Sequence, residues 1–377
     1  MTVNHNPIVA IFTATRAEYG LLRHLAMKLD REPKIDLNLI VSGTHLSARH
    51  GFTVQEIIND NISVDFKIPL LIDSLPLPSM AQLCAETLVG ASKCLLTSKP
   101  DMIIILGDRY ESYAAATAAH LECIPIAHLH GGETTEGAID NKLRHAITQL
   151  STWHFTSHEH YRDKVIKMGQ PETHVFNIGP MALDNIMGCR IISKDEFENL
   201  TKYRFTNRNL LVTYHSETLS PDKGIIGFKN LLEAIKQIDC NVLFTHPNID
   251  KGGEEILKLM TSFVNDNCHR SWCIPSLGHE LYINSLRLFD VMAGNSSSGL
   301  IEAAYFQVKV LNIGNRQSGR IPFGDVTNTS TDKEEILEKL NKVCLQNLHS
   351  TNQSTQNTML ASPSDFIVKW LKSEFQN

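Results

Sequence analysis

The chain has 377 residues, which is more than one ordinary domain needs, so its length predicts two domains. Hydrophobic residues make up 42% and charged residues 20% of the sequence, as is typical of globular enzymes. The formal net charge of −6 excludes the broad basic surface of nucleic-acid-binding proteins, and we expect no nucleic-acid partner. A small anionic substrate is not excluded, because a local cluster of arginines is enough to bind one.

The eight cysteines are scattered and form no Cys-x-x-Cys pair, which predicts reduced, mostly buried thiols rather than disulfides or a metal cluster. The amino terminus lacks the basic and apolar segments of a signal peptide. No run approaches the roughly 20 apolar residues that a membrane span needs. We therefore expect a cytoplasmic protein without a membrane partner.

Short apolar runs alternate with amphipathic stretches along the first half of the chain. The runs at 8–13, 35–41, 102–106 and 124–128 predict strands, and 19–29, 81–96, 110–120 and 143–150 predict helices. Continuous apolar strands separated by helices are typical of a parallel sheet that is covered on both faces. This half therefore predicts a doubly wound α/β domain.

The same pattern restarts in the second half. Strands are predicted at 210–214, 240–245, 272–274, 289–293 and 308–313, and helices at 225–238, 254–264, 279–286, 300–306 and 333–344. We assign residues 1–185 to the first domain and 186–360 to the second, and expect a last helix at 363–377 to pack back onto the first. Because ligands bind beyond the carboxyl ends of parallel strands, two such domains predict an interdomain cleft.

Acids and histidines gather where two strands of the first half end. Asp108 follows one strand, His130 and Glu133 follow the next, and Asp140 and Arg144 come soon after. Such neighbours shift each other's pKa values, as proton transfer requires. A purely structural interpretation stays open, with Asp108 as a helix N-cap and Asp140–Arg144 as a surface salt bridge.

The segment Gly294-Asn295-Ser296-Ser297-Ser298-Gly299 follows a strand and opens a predicted helix, which favours a phosphate site. His215 ends an earlier strand of the same half. The candidate substrate-binding residues are Arg16, Arg144, Asn248, Ser296, Ser297, Ser298, Gly299, Glu302 and Arg316. Ordinary caps, a turn and a structural histidine are the alternatives at these positions.

Several common cofactor and metal motifs do not occur in the sequence. It contains no G-x-G, no Walker loop, no G-x-S-x-G and no H-E-x-x-H. We therefore expect neither a nicotinamide or flavin cofactor nor a catalytic metal.

Taken together, these motifs resemble the hydrolysing UDP-N-acetylglucosamine 2-epimerases of sialic-acid biosynthesis. The matching segments are 15–20, 107–111, 130–133, 140–145, 215, 294–302 and 314–317. They follow the family's order and span residues 8 to about 320. The resemblance implies a GT-B-type fold of two Rossmann-like domains. It also implies a UDP-sugar as the substrate and a homodimer or homotetramer as the assembly.

The resemblance further implies a reaction that needs no cofactor. UDP is eliminated across C1–C2 of the sugar, and water then adds to the 2-acetamidoglucal to release N-acetylmannosamine. Asp108, Glu133 and Asp140 are the candidate proton-transfer groups, and Arg16, Arg316 and His215 are candidates for the departing diphosphate. Ser297 and Ser298 would contact the phosphates, and Glu302 the ribose.

One departure from the family pattern leaves a choice open. Some members carry glutamate at the position of His130, so either His130 or Glu133 is the proton-transfer group here. Three alternatives to the leading function also remain: the same chemistry on UDP-2,4-diacetamido-2,4,6-trideoxyglucose for legionaminic acid, a GT-B glycosyltransferase, and a UDP-sugar sensor without turnover.

Overall fold

The computed structural model describes residues 6–76, 78–134, 140–217, 220–247, 252–275, 277–306, 308–346 and 361–375. The strands are β1 (Ile8–Thr13), β2 (Asp36–Ser42), β3 (Phe66–Ile68), β4 (Met102–Leu106), β5 (Ile126–Leu129), β6 (Trp153–Thr156), β7 (Val175–Asn177), β8 (Asn209–Thr213), β9 (Asn241–Thr245), β10 (Ser271–Ile274), β11 (Val291–Gly294), β12 (Lys309–Ile313) and β13 (Val326–Thr329).

The helices are α1 (Arg16–Asp30), α2 (Val54–Asn59), α3 (Met80–Ser98), α4 (Tyr110–Leu121), α5 (Asp140–Leu150), α6 (Glu159–Lys167), α7 (Ala182–Met187), α8 (Lys194–Thr201), α9 (Ile225–Ile235), α10 (Gly253–Asp266), α11 (Gly278–Leu288), α12 (Ser297–Leu300), α13 (Lys333–Gln346) and α14 (Pro363–Glu374). Short 3₁₀ helices span Gly43–Leu46, Glu172–His174 and Glu302–Phe306. The chain divides into two compact units: unit 1 is Met1–Met187 with Met359–Asn377, and unit 2 is Gly188–Thr358.

Unit 1 is built on a parallel sheet in the order β3-β2-β1-β4-β5-β6-β7. Alternate residues of β1 face opposite sides, because side chains alternate along a strand. Val9 and Ile11 join a core that includes α1 and α14, and Ala10 and Phe12 join a second core with α3 and α4. Since all these strands run in one direction, their carboxyl ends share one edge of the sheet.

Helix α14 is fixed in unit 1 by burial and by polar contacts at its amino-terminal end. Ile367 and Leu371 are fully buried in the core beside α1. The buried carboxylate of Asp184 accepts hydrogen bonds from the Ser362 hydroxyl and, at 3.0 Å, from the backbone N–H of Ser364. Lys28 in α1 adds a 2.9 Å hydrogen bond to the Ser362 Oγ.

Unit 2 repeats this architecture with a parallel sheet in the order β10-β9-β8-β11-β12-β13. Leu210 and Val212 of β8 pack into a core with α9, α10 and α13, whereas Leu211 faces the core that contains α8 and α11. The strand order reverses between β8 and β11, which is where doubly wound sheets bind ligands.

The predicted strands are confirmed to within about two residues, and short strands were missed at β3, β6, β7 and β13. Those strands have three or four residues and carry polar positions, so no apolar run marks them. The predicted helix at 300–306 is wrong as one element. The α-helical turn ends at Leu300, and a 3₁₀ helix begins at Glu302.

Two bulk properties of the described residues bear on the earlier expectations. All eight cysteines fall within them and are unpaired, but Cys123 and Cys268 are exposed, so the prediction that thiols are mostly buried holds only for Cys94, Cys240 and Cys344. Among the helices that the structure describes, none is both long enough and apolar enough to cross a bilayer.

Candidate active site

The first polar cluster lies at the shared carboxyl edge of β4 and β5 in unit 1. Asp108 follows β4 through Gly107, which has a positive φ of 82° that favours glycine. The turn that carries His130 and Glu133 follows β5 and includes Gly132, with φ of 80°. A Cβ on Gly132 would stand 2.7 Å from the Tyr161 carbonyl oxygen, so this turn requires glycine.

Arg144 ties the acids of this cluster together from helix α5. Its side chain is only 7% exposed, and its guanidinium group forms ion pairs with Asp108 and, at 2.8 Å, with Glu133. A further 3.3 Å hydrogen bond reaches the His130 carbonyl oxygen. The alternative of a surface salt bridge between Asp140 and Arg144 is therefore wrong, because Arg144 is buried and pairs with other acids.

Both carboxylate oxygens of Glu133 accept hydrogen bonds from side chains. Oε1 accepts from His130 Nδ1 at 3.0 Å and from Ser157 Oγ at 2.6 Å, and Oε2 accepts from Arg144. Burial raises the pKa of Glu133, but His130 and Arg144 lower it by more, so the pKa lies well below its usual range. His130 Nε2 in turn accepts a 3.1 Å hydrogen bond from the Met181 backbone N–H.

The two aspartates differ in their surroundings. The alternative of Asp108 as an N-cap is wrong, because α4 has Arg109 as its N-cap and no side-chain cap bond. Asp108 instead faces Arg144 with its side chain 19% exposed. Asp140 is the first residue of α5, and burial, reinforced by the negative charge of Asp108, raises its pKa. Glu111 is buried and pairs with Arg109 at 2.9 Å.

Arg16 forms an ion pair with a different acid, Glu56. It is the first residue of α1, where Thr15 and Glu18 form a reciprocal capping box. Its side chain is 73% exposed, and its Nε lies 2.8 Å from Glu56 Oε1. Its guanidinium group is therefore accessible to an anion, although its Nε is already paired with Glu56.

The second polar cluster lies in unit 2, where β8 and β11 end side by side. Asn295 clamps the backbone of His215: it accepts from the His215 N–H at 2.7 Å and donates to its carbonyl oxygen at 2.9 Å. Gly294 has φ of 139°, and a Cβ there would lie 2.0 Å from the Thr213 carbonyl oxygen. Only glycine allows these two strand ends to approach so closely.

The serine-rich turn follows directly. Ser296 is the N-cap of α12 and accepts a 3.4 Å hydrogen bond from the Ser298 N–H, and Ser297 is the first helical residue. Ser298 Oγ is hydrogen-bonded to the Tyr282 hydroxyl. Gly299 faces β12, since a Cβ there would meet Val310 at 2.9 Å.

Glu302 and Arg316 complete this cluster. Burial raises the pKa of Glu302, and its Oε2 is buried with no hydrogen-bond partner among the residues that the structure describes. Arg316 donates to the Asn295 carbonyl oxygen at 3.1 Å, and Gln317 donates to the same oxygen at 2.8 Å. Asn248, the remaining sequence-predicted residue, lies outside the described residues.

Possible metal ligands do not gather in the described ranges: no three His, Cys, Asp or Glu side chains there converge closely enough to hold an ion.

The sequence profile of the UDP-N-acetylglucosamine 2-epimerase family matches residues 27–362. The chain belongs to this family. The predicted family resemblance is thereby confirmed, and so is an epimerase-type enzyme that acts on nucleotide sugars.

Three relatives align with most of this epimerase-family chain. A GDP/UDP-N,N'-diacetylbacillosamine 2-epimerase (hydrolyzing) of Campylobacter jejuni is 34% identical, over 88% of this chain and 87% of its own. A UDP-N,N'-diacetylbacillosamine 2-epimerase (hydrolyzing) of Legionella pneumophila is 36% identical, over 88% of each. The polysialic acid biosynthesis protein P7 of Escherichia coli is 32% identical, over 92% of this chain and 88% of its own.

A solved structure of an epimerase has the same fold. The UDP-GlcNAc 2-epimerase of Neisseria meningitidis, bound to UDP-GlcNAc, superposes with a TM-score of 0.77 over 97% of this chain and 100% of its own, at 18% identity. The predicted GT-B-type fold of two Rossmann-like α/β units is confirmed.

Sequence reasoning missed several residues that support the two clusters of this epimerase-family chain. Four side chains hold the predicted residues in place through hydrogen bonds: Ser157, Asn295, Gln317 and Tyr282. Asn295 and Gln317 stand inside the motifs already identified, so their position was a usable signal. Ser157 and Tyr282 are distant in sequence from the residues that they contact, and no local pattern marks them.

Proposed function

We propose that the protein is a hydrolysing 2-epimerase of a UDP-2-acetamido sugar. A base removes the proton from C2, the electron pair forms the C1=C2 double bond, and the C1–O bond breaks to release UDP. Water then adds to C1 of the glycal while a proton is delivered to C2 from the opposite face. The observation that carries this proposal is the cluster of Asp108, Asp140 and Glu133 around the buried Arg144.

In this proposal Asp108 is the base and Asp140 the acid. The guanidinium group of Arg144 lies against Asp108 and holds its carboxylate in place to accept the C2 proton. Burial and the nearby charge of Asp108 raise the pKa of Asp140, which favours the protonated form that an acid needs. Two carboxyl groups with different surroundings can thus supply the two proton transfers.

The sequence left open whether Glu133 or His130 transfers a proton, and we propose that neither does. His130 uses Nδ1 to donate to Glu133 and Nε2 to accept from Met181, and Glu133 accepts on both oxygens. Groups engaged in this way are better suited to hold Arg144 and the turn than to exchange protons with a substrate. We therefore assign both to positioning.

Unit 2 would hold the nucleotide. Ser296, Ser297 and Ser298 present hydroxyl groups beside the clamped His215, and Arg316 brings a positive charge to the same turn. Positive charge and hydrogen-bond donors stabilise the diphosphate as its negative charge develops during elimination. The carboxylate of Glu302, whose Oε2 has no hydrogen-bond partner among the described residues, would accept hydrogen bonds from the two ribose hydroxyl groups.

We propose UDP-2,4-diacetamido-2,4,6-trideoxyglucose, which is UDP-N,N'-diacetylbacillosamine, as the substrate. The relatives at 34% and 36% identity are named for this sugar. UDP-N-acetylglucosamine is the second candidate, favoured by the 32% identical relative that is named for polysialic acid biosynthesis. The first product would serve legionaminic acid and the second, N-acetylmannosamine, would serve sialic acid.

Proton NMR of the purified protein with each sugar nucleotide in D₂O tests these proposals. We expect free UDP and a manno-configured sugar deuterated at C2, with the higher kcat/KM for the diacetamido substrate. Asp108→Asn and Asp140→Asn should abolish this turnover while calorimetry still measures UDP binding.

Each of the following outcomes would contradict a different part of the proposed function. A higher kcat/KM for UDP-N-acetylglucosamine would make it the substrate in place of the diacetamido sugar nucleotide. A product that remains attached to UDP would overturn the hydrolytic step. UDP binding without turnover of either sugar would favour the sensor, and unchanged kcat in both aspartate variants would remove those residues from the mechanism.

A further inference from the structure

His128 touches the three segments that carry the acids of unit 1. It lies in β5, and its side chain is fully buried. Nε2 is 2.8 Å from the carbonyl oxygen of Gly107, the residue before Asp108. Nδ1 is 3.2 Å from the Thr148 hydroxyl in α5, the helix that also carries Asp140 and Arg144.

The third segment is the glycine turn that leads to Glu133. A Cβ on Gly131 would lie 3.0 Å from His128 Nδ1 and 3.2 Å from Thr148 Oγ1. The turn therefore packs directly against the same imidazole and hydroxyl, and a larger residue at position 131 would displace them. One buried side chain thus sets the spacing of the end of β4, the turn after β5, and α5.

The hydrogen-bond partners define the state of the imidazole. A carbonyl oxygen only accepts, so Nε2 carries the proton that is donated to Gly107. Burial lowers the pKa of His128 to about 3, which leaves Nδ1 unprotonated and able to accept from Thr148. The Thr148 hydroxyl also lies 3.1 Å from the Arg144 carbonyl oxygen, one turn earlier in the helix.

We propose that His128, as the neutral Nε2–H tautomer, is a positioning residue that aligns Asp108 with Asp140 and Arg144. The inference rests on the proposed function, because the groups that it aligns are the proposed base and acid. Its action is indirect: it holds the backbone before Asp108 and the helix that begins at Asp140. Misplacing a reacting group by about 1 Å can cost on the order of 100-fold in rate.

Two substitutions at position 128 separate positioning from mere packing. His128→Gln keeps an N–H at the distance of Nε2 from the backbone, whereas the shorter His128→Asn cannot reach the Gly107 carbonyl oxygen. We expect kcat to fall about 100-fold in His128→Asn and less than about tenfold in His128→Gln. KM and the calorimetric affinity for UDP should stay unchanged in both variants.

A pair of buried threonines supplies a matched control. Thr148 and Thr87 are both fully buried, and the hydroxyl of each lies near the carbonyl oxygen four residues earlier in its helix, at 3.1 and 2.8 Å. In this pair, only the Thr148 hydroxyl also faces His128. Thr148→Val should lower kcat, and Thr87→Val should lower only the thermal stability. Equal loss of kcat in His128→Gln and His128→Asn, or in the two threonine variants, would overturn the proposal.

A measurement that does not depend on enzymatic turnover can test this proposal separately from the proposed function. Histidine-selective ¹⁵N NMR of the full protein should find His128 as the neutral Nε2–H tautomer from pH 6 to pH 8. A protonated ring or the Nδ1–H tautomer would overturn the positioning role. Should the wild-type protein turn over neither sugar nucleotide, the proposed function fails, and the tautomer still decides whether His128 holds Gly107.

Discussion

Arg144 is the residue on which the charges of unit 1 converge. A buried guanidinium group is stable only when its charge is paired, and here two carboxylates and a carbonyl oxygen share it. The planar fork of arginine reaches both acids at once, whereas the ammonium group of lysine is a single point charge. The shape of the arginine therefore matters as much as its charge, and sequence spacing alone suggested a different partner for it.

Replacing Arg144 with lysine should lower kcat about 100-fold, because the lysine cannot hold both Asp108 and Glu133 in place. UDP affinity should not change, since the nucleotide is proposed to bind in unit 2. Steady-state kinetics and calorimetry measure the two quantities.

The matched control for this prediction is Arg162→Lys. Arg162, on helix α6, also bridges two acids of unit 1: Glu159 at 3.2 Å and Glu172 at 2.8 Å. We expect its kcat to equal that of the wild type. A weakened UDP affinity in Arg144→Lys would mean that the arginine contacts substrate directly, as the sequence had suggested.

Helix α1 begins earlier than its apolar pattern predicts, because its start is set by polar contacts. Glu18 accepts hydrogen bonds from the backbone N–H groups of Ala14 at 2.9 Å and Thr15 at 3.0 Å, and from the Ser112 hydroxyl at 2.9 Å. Burial raises the pKa of Glu18 from 4.5 to about 7. A raised folded-state pKa stabilises the protein fully below about 4.5, and this stabilisation disappears as the pH rises through about 7.

Glu18→Gln tests this linkage, because glutamine resembles the protonated acid at every pH. The free energy of unfolding of the wild type, relative to Glu18→Gln, should fall by roughly 2 kcal/mol between pH 5.5 and pH 8. Urea denaturation of both proteins at each pH provides the measurement. A difference that does not depend on pH would mean that the folded-state pKa of Glu18 is not raised.

The long elements of this fold could be predicted from sequence, and the short ones could not. Buried parallel strands such as β4 are continuous apolar runs, which set them apart from their surroundings. The break after Leu300 and the three-residue strand β3 depend on contacts with distant parts of the chain. In the candidate site, motifs indicated Asp108 and Arg144, but the pairing between them exists only after β4 and α5 have packed.

At the scale of the molecule, unit 1 is assembled from two separate stretches of the sequence, with unit 2 between them. Asp184, near the end of the first stretch, accepts hydrogen bonds from Ser362 and Ser364, at the start of the second. The buried faces of Ile367 and Leu371 then complete the core beside α1. The attachment of α14 thus combines a polar contact with an apolar one.

Asp184→Ala should destabilise unit 1 by about 1–3 kcal/mol, since it leaves buried donors without their acceptor. Amide hydrogen exchange should locate the loss in α14. Asp163→Ala, at an exposed position of the same unit, is the control and should exchange like the wild type. Unchanged protection of α14 in Asp184→Ala would show that the apolar contacts alone hold the helix.

The divided sequence of unit 1 also bears on how the chain is made. Domains usually complete their folding from the amino terminus onward as synthesis proceeds. Here the ribosome has already delivered all of unit 2 before residues 361–375 emerge, and until then the core beside α1 lacks Ile367 and Leu371. Unit 2, whose sequence is continuous, can therefore finish first, although the first stretch of unit 1 is synthesised before it.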